Sequence, residues 1–405
     1  MQTVRIERLG AQGDGISAEG VFAPFSLPDE TLAGEVVDGR IARPTITDPS
    51  PDRTTPPCPH FGTCGGCALQ HASDSFIATW KRGQIASALA ARGITGVEIR
   101  DTVTSPPRSR RRATFAARRT KKTVQVGFRG RGSEEVITLN ECHLVDHALL
   151  IALPAIEAAA MLGASRKGVI RGTATLSVGG IDLAIEDAKP LERQGIIAAA
   201  ALAERHDLAR LTWNGEITAA RRSAAQRFGT AEVTPPPGGF LQATREGEAT
   251  LVAAATEALG KATRIADLFA GCGTFTLPLA TSAEVHAVEG AKALTDALDA
   301  GWRRAVGVKK VTTEARDLFR RPLLSTELAA FDGVVIDPPR AGAAAQMEHL
   351  ATHGPTRIAS ISCNPATFAR DARTLIDGGY RLDWVLPVDQ FRWSPHVEIA
   401  ARFSR

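Results

Sequence analysis

Two side chains in the C-terminal part of the chain could form a catalytic pair. Cys363 lies in the sequence Ser-Cys-Asn-Pro at 362–365, and Glu398 follows 35 positions later in His-Val-Glu at 396–398. A thiolate is a strong nucleophile, and a carboxylate among apolar neighbours has a raised pKa that suits a general base. The pair predicts covalent catalysis, in which a sulfur adds to an electron-poor carbon and the carboxylate removes a proton.

Methylation at carbon 5 of a pyrimidine is a reaction that needs such a pair. Carbon 5 of uracil is a poor nucleophile until a thiolate adds to carbon 6, after which carbon 5 can attack an electrophilic methyl group. The proton on carbon 5 must then leave before the thiol can, and Glu398 is the candidate base. The alternatives are a solvated edge-strand carboxylate and a buried apolar cysteine, but the Asn-Pro turn after Cys363 favours an exposed thiol.

A glycine turn upstream could hold the methyl donor. The predicted strand at 265–269 runs into Gly271 and Gly273, where the backbone can turn tightly and approach a ligand. Glu289 closes the next strand and could bond ribose hydroxyls. Asp317 follows the third strand and could bond the amine of the adenine. A third glycine spaced for a pyrophosphate is absent, which favours S-adenosylmethionine over a dinucleotide. A plain turn between strand and helix is the alternative.

These side chains need an α/β scaffold, and the pattern from about residue 240 predicts one. Short apolar strands alternate there with helices, as in a parallel doubly wound sheet. Asp337, in Asp-Pro-Pro-Arg at 337–340, closes the fourth strand, and Cys363 follows the fifth. Because the carboxyl ends of parallel strands meet at one edge, we expect both side chains beside the ligand there.

Four further cysteines predict a metal centre. Cys58, Cys64 and Cys67 have the spacing C-x5-C-x2-C with glycines between them, and Cys142 lies far along the chain. Four cysteines in a chain without a secretion signal indicate a metal rather than disulfides. Four thiolates suit a [4Fe–4S] cluster or a structural zinc ion, and the spacing leaves both open.

The charge of the chain is small overall but uneven. The 405 residues carry a net charge of +4, yet the segment 103–133 has no Asp or Glu and ten Lys and Arg residues. Such a cluster predicts contact with nucleic acid, and the alternative is a solvated strand face. The N-terminus has no apolar signal segment, and no stretch approaches about 18 apolar residues. We therefore expect a cytoplasmic protein without a membrane span.

The length and the punctuation of the chain predict three regions. Residues 1–48 alternate in short strands between glycines and predict a small β-barrel, and prolines near 49–57 mark a linker. Residues 49–235 combine the cysteines and the basic strands in a mixed α+β region. Residues 236–405 hold the α/β pattern and the candidate catalytic residues.

Taken together, the motifs resemble the RNA (uracil-5-)-methyltransferase family, most closely its iron–sulfur branch that acts on 23S ribosomal RNA. The resemblance implies an N-terminal TRAM barrel, a central RNA-binding region with a [4Fe–4S] cluster, and a C-terminal Rossmann-like class I methyltransferase domain. It favours iron–sulfur over zinc, with Cys58, Cys64, Cys67 and Cys142 as ligands. It also implies a monomer that acts on structured RNA, with tRNA as the alternative to 23S rRNA.

The resemblance assigns roles to individual residues. Cys363 would be the nucleophile and Glu398 the base. The residues that would contact S-adenosylmethionine are Gln242, Phe269, Gly271, Gly273, Thr274, Glu289, Asp317 and Asp337. Thr274 departs from the usual Asn of the family. A rival interpretation is an RNA-binding protein that keeps the fold without activity, and a zinc-containing cytosine methylase fits less well because of the Glu398 motif.

Overall fold

The chain folds into a β-rich N-terminal unit, a central α+β region and a C-terminal α/β sheet, which confirms the predicted fold class. The computed structural model describes residues 2–166 and 168–405. No helix within these residues combines the length and the apolar composition that crossing a membrane requires.

The N-terminal unit is an antiparallel sheet with the strand order β3-β2-β1-β4-β5. Its strands are β1 (Gln2–Leu9), β2 (Gly15–Ser17), β3 (Phe22–Ala23), β4 (Thr31–Gly34) and β5 (Thr45–Asp48). Backbone hydrogen bonds join Phe22 to Gly39 and Ile41, in the segment between β4 and β5. The sheet therefore curls into a partly closed barrel around Ile6 and Leu32.

The central region is built on a seven-stranded sheet in the order β10-β9-β8-β11-β12-β13-β14. The elements from 74 to 233 are α1 (Asp74–Ala90), β6 (Glu98–Ile99), β7 (Val103–Thr104), β8 (Arg112–Arg119), β9 (Val124–Arg129), β10 (Val136–Thr138), α2 (His147–Leu150), α3 (Leu153–Gly163), β11 (Val169–Ser177), β12 (Gly180–Glu186), α4 (Arg193–Arg205), β13 (Arg210–Trp213), β14 (Glu216–Ala220), β15 (Gln226–Phe228) and β16 (Ala231–Val233). Phe115 and Ile156 belong to the core under α3 and α4. Successive side chains of a strand face opposite sides, so Arg112 and Arg118 lie on the other face, where part of the basic segment is displayed.

The C-terminal region forms a nine-stranded sheet in the order β19-β18-β17-β20-β21-β23-β22-β6, with β7 also paired to β22. Its further elements are α5 (Arg245–Leu259), β17 (Arg264–Leu268), α6 (Thr276–Leu279), β18 (Glu284–Glu289), α7 (Lys292–Trp302), β19 (Val311–Ala315), α8 (Ser325–Leu328), β20 (Gly333–Ile336), α9 (Ala344–His353), β21 (Arg357–Ser362), α10 (Pro365–Asp377), β22 (Arg381–Asp389) and β23 (Glu398–Ser404).

The C-terminal sheet departs from the predicted parallel arrangement at one side. Strand β23 runs antiparallel to both β21 and β22, whereas β17 to β21 pair in parallel. The reason is the connection between β22 and β23, which is the short segment 390–397 without a helix. A parallel pair would need a longer crossover. The same reversal brings Glu398, the first residue of β23, to the carboxyl edge of the parallel strands.

The segment 74–104 is built into the C-terminal sheet rather than into the central one. Strands β6 and β7 pair in parallel with β22. Ile85 and Leu89 of α1 share one buried core with Phe368 of α10. The C-terminal sheet is therefore completed by residues that precede the central region in sequence.

A buried ion pair joins α1 to the segment that precedes Glu398. Lys81 Nζ lies 2.6 Å from Asp389 Oδ1, and both side chains are 0% exposed. Lys81 Nζ also donates to the Phe391 carbonyl oxygen at 3.2 Å. Burial lowers the pKa of Lys81 and raises the pKa of Asp389, which means that desolvation outweighs the mutual attraction. The pair therefore fixes the position of the segment 389–391 relative to α1 and adds little net stability.

We expect Lys81→Met to lower the free energy of unfolding by about 3–5 kcal/mol, because it leaves the buried Asp389 carboxylate without the cation that pairs with it. Urea unfolding followed by circular dichroism measures the change. Arg82→Met on the same helix is the matched control, since Arg82 pairs with the exposed Asp101 and should have little effect. The double variant Lys81→Met/Asp389→Asn should recover part of the loss, and a Lys81→Met protein as stable as the wild type would contradict this account.

Candidate active site

A cavity of about 610 Å³ opens at the carboxyl edge of the C-terminal sheet, within the roughly 300–1,000 Å³ typical of small-molecule sites. The predicted site residues that line it are Gln242, Phe269, Gly271, Glu289, Asp317, Asp337, Cys363 and Glu398. Further lining residues that the sequence did not single out are Phe240, Gly290, Leu294, Leu318, Phe319, Pro338, Pro339, Arg340, Phe391 and His396.

The glycine turn after β17 brings the main chain to the wall of this cavity. Gly271 has φ of 57° and Gly273 has φ of 103°, which L side chains rarely adopt. A Cβ at Gly273 would also lie 2.5 Å from Leu298 Cδ1. Gly273 and the buried Thr274 therefore build the turn but do not line the cavity. Phe269 has φ of 62°, a strained conformation for a non-glycine residue beside a site.

Two acidic side chains are held in place by backbone amides. Glu289 accepts from the amides of Gly271 at 3.1 Å and Ala291 at 2.9 Å. Asp317 accepts from the Phe319 amide at 2.9 Å. Glu289 ends β18 and Asp317 follows β19 by two residues, as predicted. Their fixed oxygens can accept hydrogen bonds from ligand hydroxyl or amine groups.

The thiol of Cys363 is presented by the turn between β21 and α10. Asn364 caps α10 by accepting from the Ala366 amide at 3.1 Å, and Pro365 is the first helical residue. The Asn364 side chain also donates to the Arg340 carbonyl oxygen at 3.2 Å. The Asp-Pro-Pro-Arg loop and the cysteine turn are thus tied together, and Cys363 is half-buried at the cavity wall.

Burial changes the acidity of the groups in the cavity. Desolvation raises the pKa of Glu398 to about 7, and a hydrogen bond from Gln390 opposes the shift. Desolvation raises the pKa of Asp337 well above its ordinary value, with the charge of Glu398 as the next cause. Desolvation, followed by the charges of Glu398 and Asp337, raises the pKa of Cys363 to about 11, and Arg340 opposes it. Glu398 can thus exchange a proton near neutral pH, as general acid–base chemistry requires.

The residues that the sequence reasoning missed carry weak local signals. Phe319 is 50% exposed and Phe240 is 63% exposed, and both line the cavity. An aromatic residue just after a predicted strand end, as Phe319 is after Asp317, could have been noticed. Gln390 had no such signal, because its partners come together only in the folded chain.

The four predicted metal ligands surround a second, small cavity. Cys58, Cys64, Cys67 and Cys142 all line it. The amide of Gly66 points at Cys64 Sγ at 3.4 Å, and the amide of Leu144 points at Cys142 Sγ at 3.4 Å. Among the described residues, no three His, Cys, Asp or Glu side chains converge closely enough to hold a single metal ion.

Comparison with known proteins decides the family. The sequence model of the tRNA (uracil-5-)-methyltransferase family matches residues 236–405. An RNA methyltransferase of Rhizobium meliloti (strain 1021) is 44% identical over 412 residues, which cover 100% of this chain and 99% of the relative. The 23S rRNA (uracil(1939)-C(5))-methyltransferase of Salmonella choleraesuis (strain SC-B67) is 31% identical over 434 residues, which cover 100% of this chain and 96% of that protein.

The chain belongs to the RNA (uracil-5-)-methyltransferase family. The predicted membership of this family is confirmed, as are the enzyme class and S-adenosylmethionine as methyl donor. The crystal structure of Pyrococcus abyssi tRNA (uracil-54, C5)-methyltransferase in complex with S-adenosyl-L-homocysteine matches with a TM-score of 0.78 at 21% identity, over 99% of both chains. That likeness supports the fold. The alternative of an RNA-binding protein without activity is disfavoured.

The coupling between Glu398 and Cys363 makes a prediction about thiol reactivity. At about pH 8 the carboxylate is charged and opposes ionisation of the thiol, so Glu398→Gln should raise the alkylation rate of Cys363 about 3- to 10-fold. At about pH 6 the carboxyl is largely protonated and the difference should disappear. Iodoacetamide labelling with peptide mass mapping measures the rate at Cys363 separately from the other cysteines.

The matched control for labelling is Glu289→Gln. Glu289 lines the same cavity but does not contribute to the pKa shift of Cys363. Equal labelling of the wild type and Glu398→Gln at both pH values would show that the two groups do not interact.

Proposed function

We propose that this family member methylates carbon 5 of a uridine in structured RNA, with Cys363 as the nucleophile and Glu398 as the base. The observation that carries the proposal is one cavity at the sheet edge whose wall includes both side chains and Asp337. The raised pKa of Glu398 and its electrostatic coupling to Cys363 add support.

In the proposed mechanism, S-adenosylmethionine supplies the electrophilic methyl group. The Cys363 sulfur adds to carbon 6 of the uracil as a thiolate, and the electron pair of the ring double bond moves to carbon 5 and the adjoining carbonyl. Carbon 5 then forms its bond to the methyl group while the methyl–sulfur bond of the donor breaks, and the electron pair of that bond stays on the sulfur of the departing S-adenosyl-L-homocysteine. Glu398 takes the proton from carbon 5, the double bond re-forms, and the thiolate leaves carbon 6.

The cofactor-binding roles are proposed on the same basis. Glu289 and Asp317 would bind the ribose and the adenine, while Gln242, Phe269 and Gly271, which line the same cavity, would contact the methionine part. Asp337 would lie between the cofactor and the uracil. Gly273 and Thr274 would contribute through the shape of the turn, because neither faces the cavity.

The proposed substrate is 23S rRNA. It is the substrate named for the Salmonella choleraesuis relative, which matches the full length of this chain. The basic face of β8 would contact phosphates, and the target uridine would leave its stack to enter the cavity. In this proposal, 1–48 is the TRAM-like barrel, 49–235 the central region and 236–405 the catalytic domain, with 74–104 added to the catalytic sheet. tRNA remains the second candidate, because the family model that matches 236–405 is named for it.

We further propose that Cys58, Cys64, Cys67 and Cys142 hold a [4Fe–4S] cluster. The donor set fits, because four thiolates and amides directed at sulfur are typical of such clusters. The bound cluster would cross-link the loop at 58–67 to Cys142.

Glu398→Gln should accumulate a covalent protein–RNA adduct, because methyl transfer proceeds while proton removal does not. Incubation with S-adenosylmethionine and total RNA from a strain that lacks the enzyme, followed by denaturing electrophoresis, detects the adduct. Sequencing of the trapped RNA then names the substrate. Recovery of a 23S rRNA fragment in the adduct would support the proposed substrate. Recovery of tRNA would instead support the second candidate.

Cys363→Ala is the paired control, since it should form no adduct and should lose methyl transfer by at least about 1,000-fold while RNA binding persists. Normal turnover by Cys363→Ala would remove the cysteine as the nucleophile. Normal turnover by Glu398→Gln would mean that another group removes the proton.

Anaerobically purified protein should be brown, with absorption near about 400 nm and about four iron atoms per chain. The absorption should disappear in Cys67→Ser and persist in Cys272→Ser, which changes a core cysteine beside the glycine turn. Metal analysis checks the result, and a colourless protein with one zinc ion would contradict the cluster.

A further inference from the structure

Gln390 makes hydrogen bonds whose directions can be fixed without ambiguity. It follows β22 and is 1% exposed. The backbone amide of Ala243 donates to its Oε1 at 2.8 Å. Because a backbone N–H can only donate, this contact assigns the oxygen end of the Gln390 amide, and the NH₂ end must point the other way.

The NH₂ end of Gln390 faces two residues of the candidate site. Nε2 donates to Gln242 Oε1 at 2.5 Å. Val388, two residues before Gln390, pairs with Glu398 in the sheet, and hydrogen bonding by the Gln390 side chain lowers the pKa of the Glu398 carboxyl against the effect of burial. Since the side-chain oxygen of Gln242 accepts this bond, the NH₂ group of Gln242 faces Asp337. There, Gln242 Nε2 donates to Asp337 Oδ2 at 3.1 Å. One backbone amide thus sets the direction of two side-chain amides and connects them to both carboxyl groups.

We propose that Gln390 is a positioning residue that orients Glu398 and Gln242 as a unit. The inference rests on the proposed function, in which Glu398 is the base and Gln242 contacts the cofactor. Gln390 itself does not line the cavity, so it acts through these two side chains. A neutral donor on Glu398 holds the carboxylate in one orientation without neutralising it by an ion pair, which leaves it able to accept a proton.

The surroundings of Gln390 restrict its movement. The buried Lys81–Asp389 pair holds the residue just before it. Helix α5 packs so closely that a Cβ at Gly247 would lie 2.7 Å from Gln390 Cβ. These contacts make Gln390 a fixed reference against which the reacting groups are placed.

The segment bonded to Gln390 is fixed from the central region as well. Arg111 Nε donates to the Gln242 carbonyl oxygen, and the Arg111 amide donates to the Ala243 carbonyl oxygen, both at 3.0 Å. Arg111 also pairs with Glu248 at 2.5 Å. The strand β8, on which the RNA-facing basic face lies, begins at the next residue, so the central region and the catalytic groups are connected by direct bonds.

Gln390→Met tests the proposal, because methionine keeps the length of the side chain and removes the amide. We expect the single-turnover rate of methyl transfer to fall about 10- to 100-fold and the KM for S-adenosylmethionine to rise several-fold. The rising limb of the pH–rate profile should move up by about one pH unit, because loss of the donor raises the pKa of Glu398 further. The other ionisable groups near Glu398 are Asp337 and Cys363, whose charges interact with it, and Arg340 and His396, which line the same cavity. The Gln390 substitution leaves all four unchanged, so a shift of the pH–rate profile can be assigned to the loss of the amide.

Gln346→Met is the matched control. Gln346 is equally buried in the same domain, and its amide bonds only the main chain of Leu323. It should lose similar stability while its KM and pH profile stay at wild-type values. Gln390→Glu is a second variant, because it keeps the acceptor for the Ala243 amide but places a negative charge beside Glu398, and its pH limb should move further still.

Wild-type KM and an unmoved pH limb in both Gln390 variants would overturn the positioning role, as would equal kinetic losses in Gln346→Met. Failure of the proposed function is recognised separately, because Glu398→Gln would then turn over normally. A Gln390→Met enzyme with wild-type kinetics beside a Glu398→Gln enzyme that traps RNA would refute this inference and leave the proposed function intact.

Discussion

Desolvation at the carboxyl edge of the C-terminal sheet is the constraint on which the chemistry of this protein depends. Glu398, Asp337 and Cys363 have ordinary side chains, and burial is the largest cause of each of their pKa shifts. Their mutual repulsion is the next cause for Asp337 and Cys363. Burial of this kind lets the Glu398 carboxyl exchange a proton near neutral pH, which an exposed carboxyl could not do.

Such a site must be held together against its own repulsion, and several regions of the chain contribute. Gln390 and Gln242 place neutral amides between the two carboxyl groups. Lys81 lies on a helix from the N-terminal half and bonds the segment that leads to Glu398. The main chain just after Cys67 contributes too, because the amides of Ala68 and Leu69 donate to the Trp393 carbonyl oxygen. The candidate active site is therefore assembled from distant parts of the sequence.

This assembly explains which expectations succeeded. Cys363, Asp337 and Glu289 were placed correctly at one edge, because each follows a strand and the carboxyl ends of parallel strands coincide. The antiparallel course of β23 was missed, because it depends on the length of the connection from β22 rather than on the pattern of either strand. The place of α1 in the C-terminal core was missed for a similar reason, since its apolar spacing predicts a helix but not the partner it packs on.

The sequence by itself determined the types of the reactive groups, the strand ends that carry them and the family to which the chain belongs. These follow from local patterns, because a glycine turn or a thiol beside an Asn-Pro turn has its meaning within a few residues. The tertiary structure alone decided the acidity of those groups and the bonds that orient them. A pKa depends on the water excluded by every neighbouring element, and the contact between Gln390 and Gln242 spans 148 positions. No local pattern records a contact over that distance, since chain folding alone brings the two amides together.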